Sequence, residues 1–196
     1  EGIYTRKFKQ KGAGRVVGVD VSDKLIEKAK LKESQEPLGI EYIVYDGINL
    51  GEIDSFDVVA SSFVICVAQN KEELLDMCRS ISANLKSGGR FVCIINNPDQ
   101  SPDTYQVMEK YGFIKSISEP LQEGVRITYK DVSSGIELYD YYHSRATYEW
   151  ALRTVGFQEI RWLPIKVAPE GVKEFGEEFW QDMLTYQLGV VLECFK

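Results

Sequence analysis

Apolar positions along this chain alternate between helical and extended spacing. Tyr4 and Phe8 fall four apart in a stretch from Ile3 to Lys11 that ends at Gly12, the pattern of a short helix with a glycine stop. Arg15 to Asp20 is an apolar strand closed by a carboxylate. Ser22 is placed to cap a helix through about Glu33, with Leu25, Ile26 and Ala29 on one face. A second strand, Ile40 to Tyr45, is followed by another acid, Asp46, and Gly47. The apolar run Phe56 to Val67 opens with Phe56-Asp57-Val58-Val59-Ala60, whose β-branched residues predict a buried parallel strand. Asn70 to Glu73 forms a capping box for a helix carrying Leu74, Leu75, Met77, Cys78, Ile81 and Leu85, with Gly88-Gly89 as its stop and a strand over Arg90 to Ile95.

Strand and helix at this spacing predict βαβ units: an α/β, doubly wound, mostly parallel sheet with helices on both faces. The rhythm breaks between Asn96 and His143. There Pro98, Pro102 and Pro120 separate strand-like stretches near 113–118, 125–130 and 136–141. They predict an antiparallel β insertion near 97–143 over one end of the sheet, too short to hold an independent core. After it, Ser144 caps a helix bearing Tyr148, Ala151, Leu152 and Val155, Phe157 to Leu163 reads as a strand, Pro169 to Thr185 as a helix, and Gly189 to Phe195 as a closing strand. The 196 residues are predicted to form a single domain.

Charge narrows the range of partners. With 23 Lys and Arg against 30 Asp and Glu, the net charge of −7 opposes a phosphate backbone, so nucleic acid is not the expected target. No apolar run approaches the ~20 residues needed to cross a bilayer, and a cytoplasmic location is expected. The cysteines Cys66, Cys78, Cys93 and Cys194 form no CxxC pair and sit among apolar neighbours, so they read as buried thiols in a reducing compartment. With one histidine, His143, the spacing offers no metal site.

Gly12-Ala13-Gly14 follows a helix and leads into a strand, the reverse of what a phosphate-binding glycine loop needs, and reads as a tight turn. Glu1-Gly2 immediately precedes a helix, and Asp20 closes the next strand 20 − 2 = 18 residues after Gly2. In doubly wound folds a carboxylate about 20 residues past the glycine turn takes the ribose hydroxyls of a nucleotide.

These residues resemble the class I S-adenosylmethionine-dependent methyltransferases. Glu1-Gly2-Ile3-Tyr4-Thr5-Arg6 is similar to the tail of that family's first motif, D-x-G-C-G-x-G, of which only the last x-G is present. The expectation is that the first strand of the Rossmann-like sheet belongs to an N-terminal segment absent from the sequence, which starts at Glu1 and not at Met. Phe56 to Phe63 resembles the fourth-strand motif, and Leu85-Lys86-Ser87-Gly88-Gly89-Arg90-Phe91 the turn before the fifth strand. The resemblance implies S-adenosyl-L-methionine as cofactor. It assigns Gly2 to the methionine turn, Asp20 and adjacent Val21 to the ribose, Asp46 and Gly47 to the adenine, and Ser61, Ser62 and Phe63 to the methionine part. The tail, Tyr141-Tyr142-His143-Ser144 and Pro169 to Asp182, resembles small-molecule methyltransferases of the toxoflavin-synthase type. That implies a small heteroaromatic or amine substrate methylated on nitrogen or oxygen.

Methyl transfer from a sulfonium is a direct displacement; a hydroxyl or ring N–H nucleophile gains from a general base, for which His143 is the candidate. Tyr139, Tyr142, Trp180 and Tyr105 are candidates to wall a planar substrate. Two other readings stay open: a non-catalytic binding or regulatory module on the same fold, and a nicotinamide-dependent reductase. No third glycine follows Gly2 where the reductase would need it. No feature of the sequence sets an oligomeric state.

Overall fold

The computed structural model describes residues 2–45 and 50–196, so Asp46 and Gly47 lie outside the described residues. The chain divides into two compact units, Glu1–Leu50 and Gly51–Lys196.

The first unit runs α1 (Ile3–Gln10), β1 (Val16–Asp20), α2 (Asp23–Gln35) and β2 (Ile40–Val44). β1 and β2 pair in parallel, with Val16 opposite Ile40 and Asp20 opposite Val44. A crossover through α2 permits that direction and a short hairpin does not. Ile26 and Ala29, one turn apart on α2, pack with Val16, Ile40 and Tyr42, while Leu25 stays exposed. Ser22 caps α2 by accepting from the Leu25 amide at 3.3 Å. The buried Arg6 guanidinium ties α1 to the end of α2, donating to Glu33 Oε2 at 2.9 Å and to the Glu36 carbonyl at 2.9 Å. Glu33 Oε1 in turn accepts from the amides of Leu38, Gly39 and Ile40. Burial pulls the Glu33 carboxyl up, but those amides and Arg6 outweigh it and hold it below its usual range.

The second unit contains β3 (Phe56–Ser62), a 3₁₀ turn (Ile65–Val67), α3 (Lys71–Ala83), β4 (Leu85–Asn96) and a 3₁₀ helix (Pro102–Tyr111). It continues through β5 (Phe113–Ile117), β6 (Arg126–Asp131), β7 (Glu137–Tyr141), α4 (Arg145–Thr154), β8 (Gln158–Pro164), α5 (Pro169–Phe175), α6 (Glu177–Tyr186) and β9 (Gly189–Phe195). One sheet has the order β3-β4-β9-β8, with β3 and β4 parallel and β9 antiparallel to both neighbours. The other, β5-β6-β7, is the expected antiparallel insertion. Phe91, Ile95 and Leu192 from the larger sheet are fully buried with Leu74, Leu152 and Phe157. All four cysteines are free and buried, and burial pushes the Cys78 and Cys194 thiols up to about 12.

Three elements differ from expectation. The helix expected to reach Leu85 stops at Ala83, because Asn84 donates to the Ser80 carbonyl at 2.8 Å and accepts the Ile53 amide at 2.7 Å. Gly88-Gly89 then falls within β4, where the register with β3 slips between Phe56 and Val58. The helix expected from Pro169 to Thr185 is broken at Gly176, whose φ of 81° is open to glycine and strained for other residues. β3 pairs in parallel with β4 as expected but is not buried: among the described residues it lies at the end of the β3-β4-β9-β8 order, and Val58 is 52% exposed.

Candidate active site

In the first unit the candidate residues gather at the carboxyl end of β1 and the start of α1. Asp20 Oδ1 accepts the Ser22 amide at 2.9 Å, and the Asp20 carbonyl accepts the Tyr45 amide at 3.0 Å. The carboxylate is thereby fixed at the strand end, and Oδ2 has no partner among the described residues. Val21, beside it, is exposed. Gly2 precedes α1 with φ 76°, and a Cβ there would come within 2.9 Å of Tyr42 Cζ. The Tyr42 hydroxyl lies 2.9 Å from Thr5 Oγ1, which also bonds the Gly2 carbonyl at 2.9 Å. Left-handed backbone and the ring of Tyr42 together demand glycine at this position.

In the second unit β3 ends at Ser61-Ser62-Phe63. The Phe63 amide donates to the Ile94 carbonyl at 2.8 Å, which holds the residue at φ 53°. For a bulky side chain that is a strained conformation, and the ring is 47% exposed. Ser61 Oγ is buried beside the Cys93 thiol, where its hydrogen bond opposes the upward push of burial on that thiol.

His143 is enclosed. It is 2% exposed, its ring stands edge-on to Tyr148 at 5.8 Å, and both nitrogens are engaged. Nε2 lies 2.9 Å from the Ala68 carbonyl, an acceptor only, so Nε2 carries a proton and donates. Nδ1 lies 3.2 Å from Glu123 Oε2. Glu123 also accepts from the Ser144 amide at 3.0 Å and from Thr147 Oγ1 at 2.9 Å. Burial pulls the Glu123 carboxyl up, but these hydrogen bonds outweigh it and hold it below its usual range. His143 therefore clasps the segment after the 3₁₀ turn to the N-terminus of α4.

The inner face of the β5-β6-β7 sheet holds a polar cluster. Lys115, 6% exposed, donates to Gln100 Oε1 at 2.7 Å and lies 4.0 Å over the Tyr105 ring and 5.4 Å from that of Tyr129. Asp140, 8% exposed, accepts from Asn96 Nδ2. Burial pushes the Asp140 carboxyl up to about 6, against the lowering pull of Asn96, Cys66 and Lys115. Burial likewise brings the Lys115 ammonium down to about 7, opposed by Asp140. The buried Tyr129 hydroxyl has no hydrogen-bond partner among the described residues.

Residues 1–93 match the sequence profile of a methyltransferase domain family. In fold, over 100% of this chain and 86% of the other, it is similar to an S-adenosylmethionine-dependent methyltransferase from Mesorhizobium loti, with a TM-score of 0.69 and 18% identity. It is also similar to the N-methyltransferase NodS from Bradyrhizobium japonicum WM9 in complex with S-adenosylhomocysteine, with a TM-score of 0.57, 11% identity, and coverage of 100% of this chain and 72% of that one. In sequence it is 35% identical over 102 residues to the demethylmenaquinone methyltransferase of Lactococcus lactis subsp. lactis (strain IL1403). That match spans 50% of this chain and 39% of the curated relative.

Of the residues expected to wall a substrate, Tyr139 stands on the exposed face of β7, bonded to Glu137 at 2.7 Å with the Arg126 guanidinium 4.8 Å over its ring. Trp180 belongs to an aromatic cluster with Tyr111, Phe175 and Phe179, and donates to the Gly171 carbonyl at 3.0 Å. Tyr142 is half-buried, and its backbone pairs with Val125 and Gly124. Only Tyr105 joins the polar cluster. Lys115 and Asp140 went unremarked in the sequence, although period-two spacing in β5 puts Lys115 on the same side as Phe113 and Ile117. A lysine flanked that way on a strand was the available signal.

Proposed function

We propose that this chain, residues 1–196, works as one methyltransferase domain that transfers a methyl group from S-adenosylmethionine to nitrogen or oxygen of a small molecule. The observation that carries the reading is the methyltransferase profile over residues 1–93 together with Asp20 held at the carboxyl end of β1. The donor chemistry fits. A ribose diol offers two O–H donors, and Asp20 presents a carboxylate whose orientation the Ser22 amide fixes while Oδ2 faces no partner among the described residues. Val21 flanks the same strand end, Gly2 lies at the start of α1, and Ser61, Ser62 and Phe63 are assigned to the methionine part. The assignments of Asp46 and Gly47 to the adenine rest on the family resemblance.

S-adenosylmethionine supplies an electrophilic methyl on a positively charged sulfur. The protein's part is positional: nucleophile and methyl carbon must lie in line at about 3–3.5 Å with water excluded. No covalent protein intermediate is required. His143 takes no part as a base in this reading, since Nε2 donates to Ala68 and Nδ1 faces Glu123. The methyltransferase profile favours this reading over a nicotinamide-dependent reductase. Among the described residues no helix is long and apolar enough to cross a membrane. The net charge of −7 favours a small-molecule acceptor over nucleic acid, and the toxoflavin-synthase resemblance favours a heteroaromatic or amine compound acted on in the cytoplasm.

The test is mass spectrometry of a cell extract incubated with the full-length protein and S-adenosylmethionine. A small molecule heavier by one methylene that appears only with both is the expected result; its absence across extracts from several growth conditions refutes the reading.

A further inference from the structure

We propose that the inner face of the β5-β6-β7 sheet is the acceptor-binding site, where Lys115 and Tyr129 together hold the oxygen of a planar, hydroxylated ring. This rests on the methyltransferase reading for its purpose, but the site is defined by its own chemistry.

Burying ionisable groups is costly, and each such group in a folded protein calls for an explanation. Here Lys115 and Asp140 are buried together and act on each other electrostatically, yet their hydrogen bonds go to neutral groups: Lys115 donates to Gln100, and Asp140 accepts from Asn96. A third polar group, the Tyr129 hydroxyl, is buried with no hydrogen-bond partner among the described residues. Lys115 and Tyr129 are directly opposite each other in the β5/β6 register, so an ammonium donor and a spare hydroxyl donor stand side by side on one face. Two adjacent donors, one unused, match an oxygen that carries negative charge.

The surroundings suit a flat ring. Tyr105 and Tyr129 offer π faces within 4.0 and 5.4 Å of Lys115 Nζ. A groove of about 360 Å³, lined by Tyr105, Gln106, Glu109, Lys115 and Ile117 among others, opens beside Lys115. An amine acceptor in its ammonium form would meet the like charge of Lys115.

The ionisable groups acting on this spot come from every packed element: Tyr105 from the 3₁₀ helix, Tyr129 from β6, Asp140 from β7, Cys66 from the 3₁₀ turn and Tyr148 from α4. With Lys115 brought down to about 7, its neutral amine is accessible at ordinary pH. On binding, the ring O–H bond breaks, its proton forms a new N–H bond on the Lys115 amine, and the oxygen keeps the electron pair. The resulting phenolate or enolate is held by the ammonium and by the Tyr129 O–H. No further reactant is needed for this step.

4-Nitrophenol, whose phenolate is yellow, tests the site without any methyl donor. Added to the full-length protein at a pH below its own ionisation, it should give a saturable growth of the phenolate band. Lys115→Met should abolish that growth. Tyr129→Phe should weaken binding about tenfold, the loss expected of a hydrogen bond to a charged group, while leaving resistance to urea equal or higher, because the hydroxyl removed has no hydrogen-bond partner among the described residues of the free protein. No band in the wild type, or unchanged affinity in Tyr129→Phe, overturns the proposal even if Lys115→Met fails to fold. A parallel titration with S-adenosylhomocysteine separates the two readings. Cofactor binding without a phenolate band sinks the acceptor site alone, and the band without cofactor binding upholds the site and sinks the methyl-donor reading.

Discussion

Replacing His143 with alanine separates a clasp from a catalytic base, because the two roles move different observables. The substitution removes the donor to the Ala68 carbonyl, a bond of 2.9 Å, and Ala68 is completely buried, so that carbonyl is left without its partner. An orphaned buried acceptor costs about 1–3 kcal/mol. The edge-to-face contact with Tyr148 at 5.8 Å and 88° is also lost, for about 0.5–1.5 kcal/mol. The Glu123 contact adds little, because that carboxylate is half exposed and keeps its bonds to Ser144 and Thr147. Urea unfolding at neutral pH should therefore show His143→Ala less stable by about 2–4 kcal/mol. His143→Gln, whose amide N–H reaches the position of Nε2, should recover a substantial part of that loss. A loss below about 1 kcal/mol for His143→Ala would contradict the clasp. So would a His143→Gln variant of wild-type stability and cofactor affinity that no longer transfers methyl groups.

Further outcomes follow from the same geometry. Lys115 binds its proton with a pKa of 10.5 when unfolded and about 7 when folded, so between these values the unfolded chain holds a proton the folded chain lacks. Stability should then rise as pH increases from about 7 toward 10.5, and Lys115→Met should flatten that rise in urea titrations across the range. Asp140 has the opposite sign, 3.8 unfolded and about 6 folded, so Asp140→Asn should remove a fall in stability between those values. At Phe63, whose φ is 53°, asparagine tolerates the left-handed backbone and valine does not. Phe63→Val should be less stable than Phe63→Asn by about 1–2 kcal/mol, and equal thermal midpoints would argue against that conformation.

Much of the fold could be read from periodicity because the residues that set it act locally. Ser22 and Ser144 cap the helices they precede, and Gly12 follows the end of α1. Asp20 could be located because a strand end is a local feature. The break at Gly176 is local, but other departures from expectation depend on partners remote in sequence. Asn84 ends α3 through bonds to the Ile53 amide and the Gly51 carbonyl, so the glycine pair downstream was not its stop. His143 attracted attention as the single histidine, yet its role is set by Ala68 and Glu123, which come from other segments. Tyr139 and Asp140 are neighbours in sequence and face opposite sides of β7. Which side is interior depends on the pairing of β7 with β6 and on the 3₁₀ turn beneath, and neither is written in the five residues of the strand.

If Asp20 anchors a nucleoside methyl donor, calorimetric titration of the full-length protein with S-adenosylhomocysteine should show saturable one-site binding by the wild type, weakened in Asp20→Ala by about 1.5–3 kcal/mol, the value of a lost charge-assisted hydrogen bond. Absence of binding by the wild type, or equal affinity in Asp20→Ala, would contradict that anchoring.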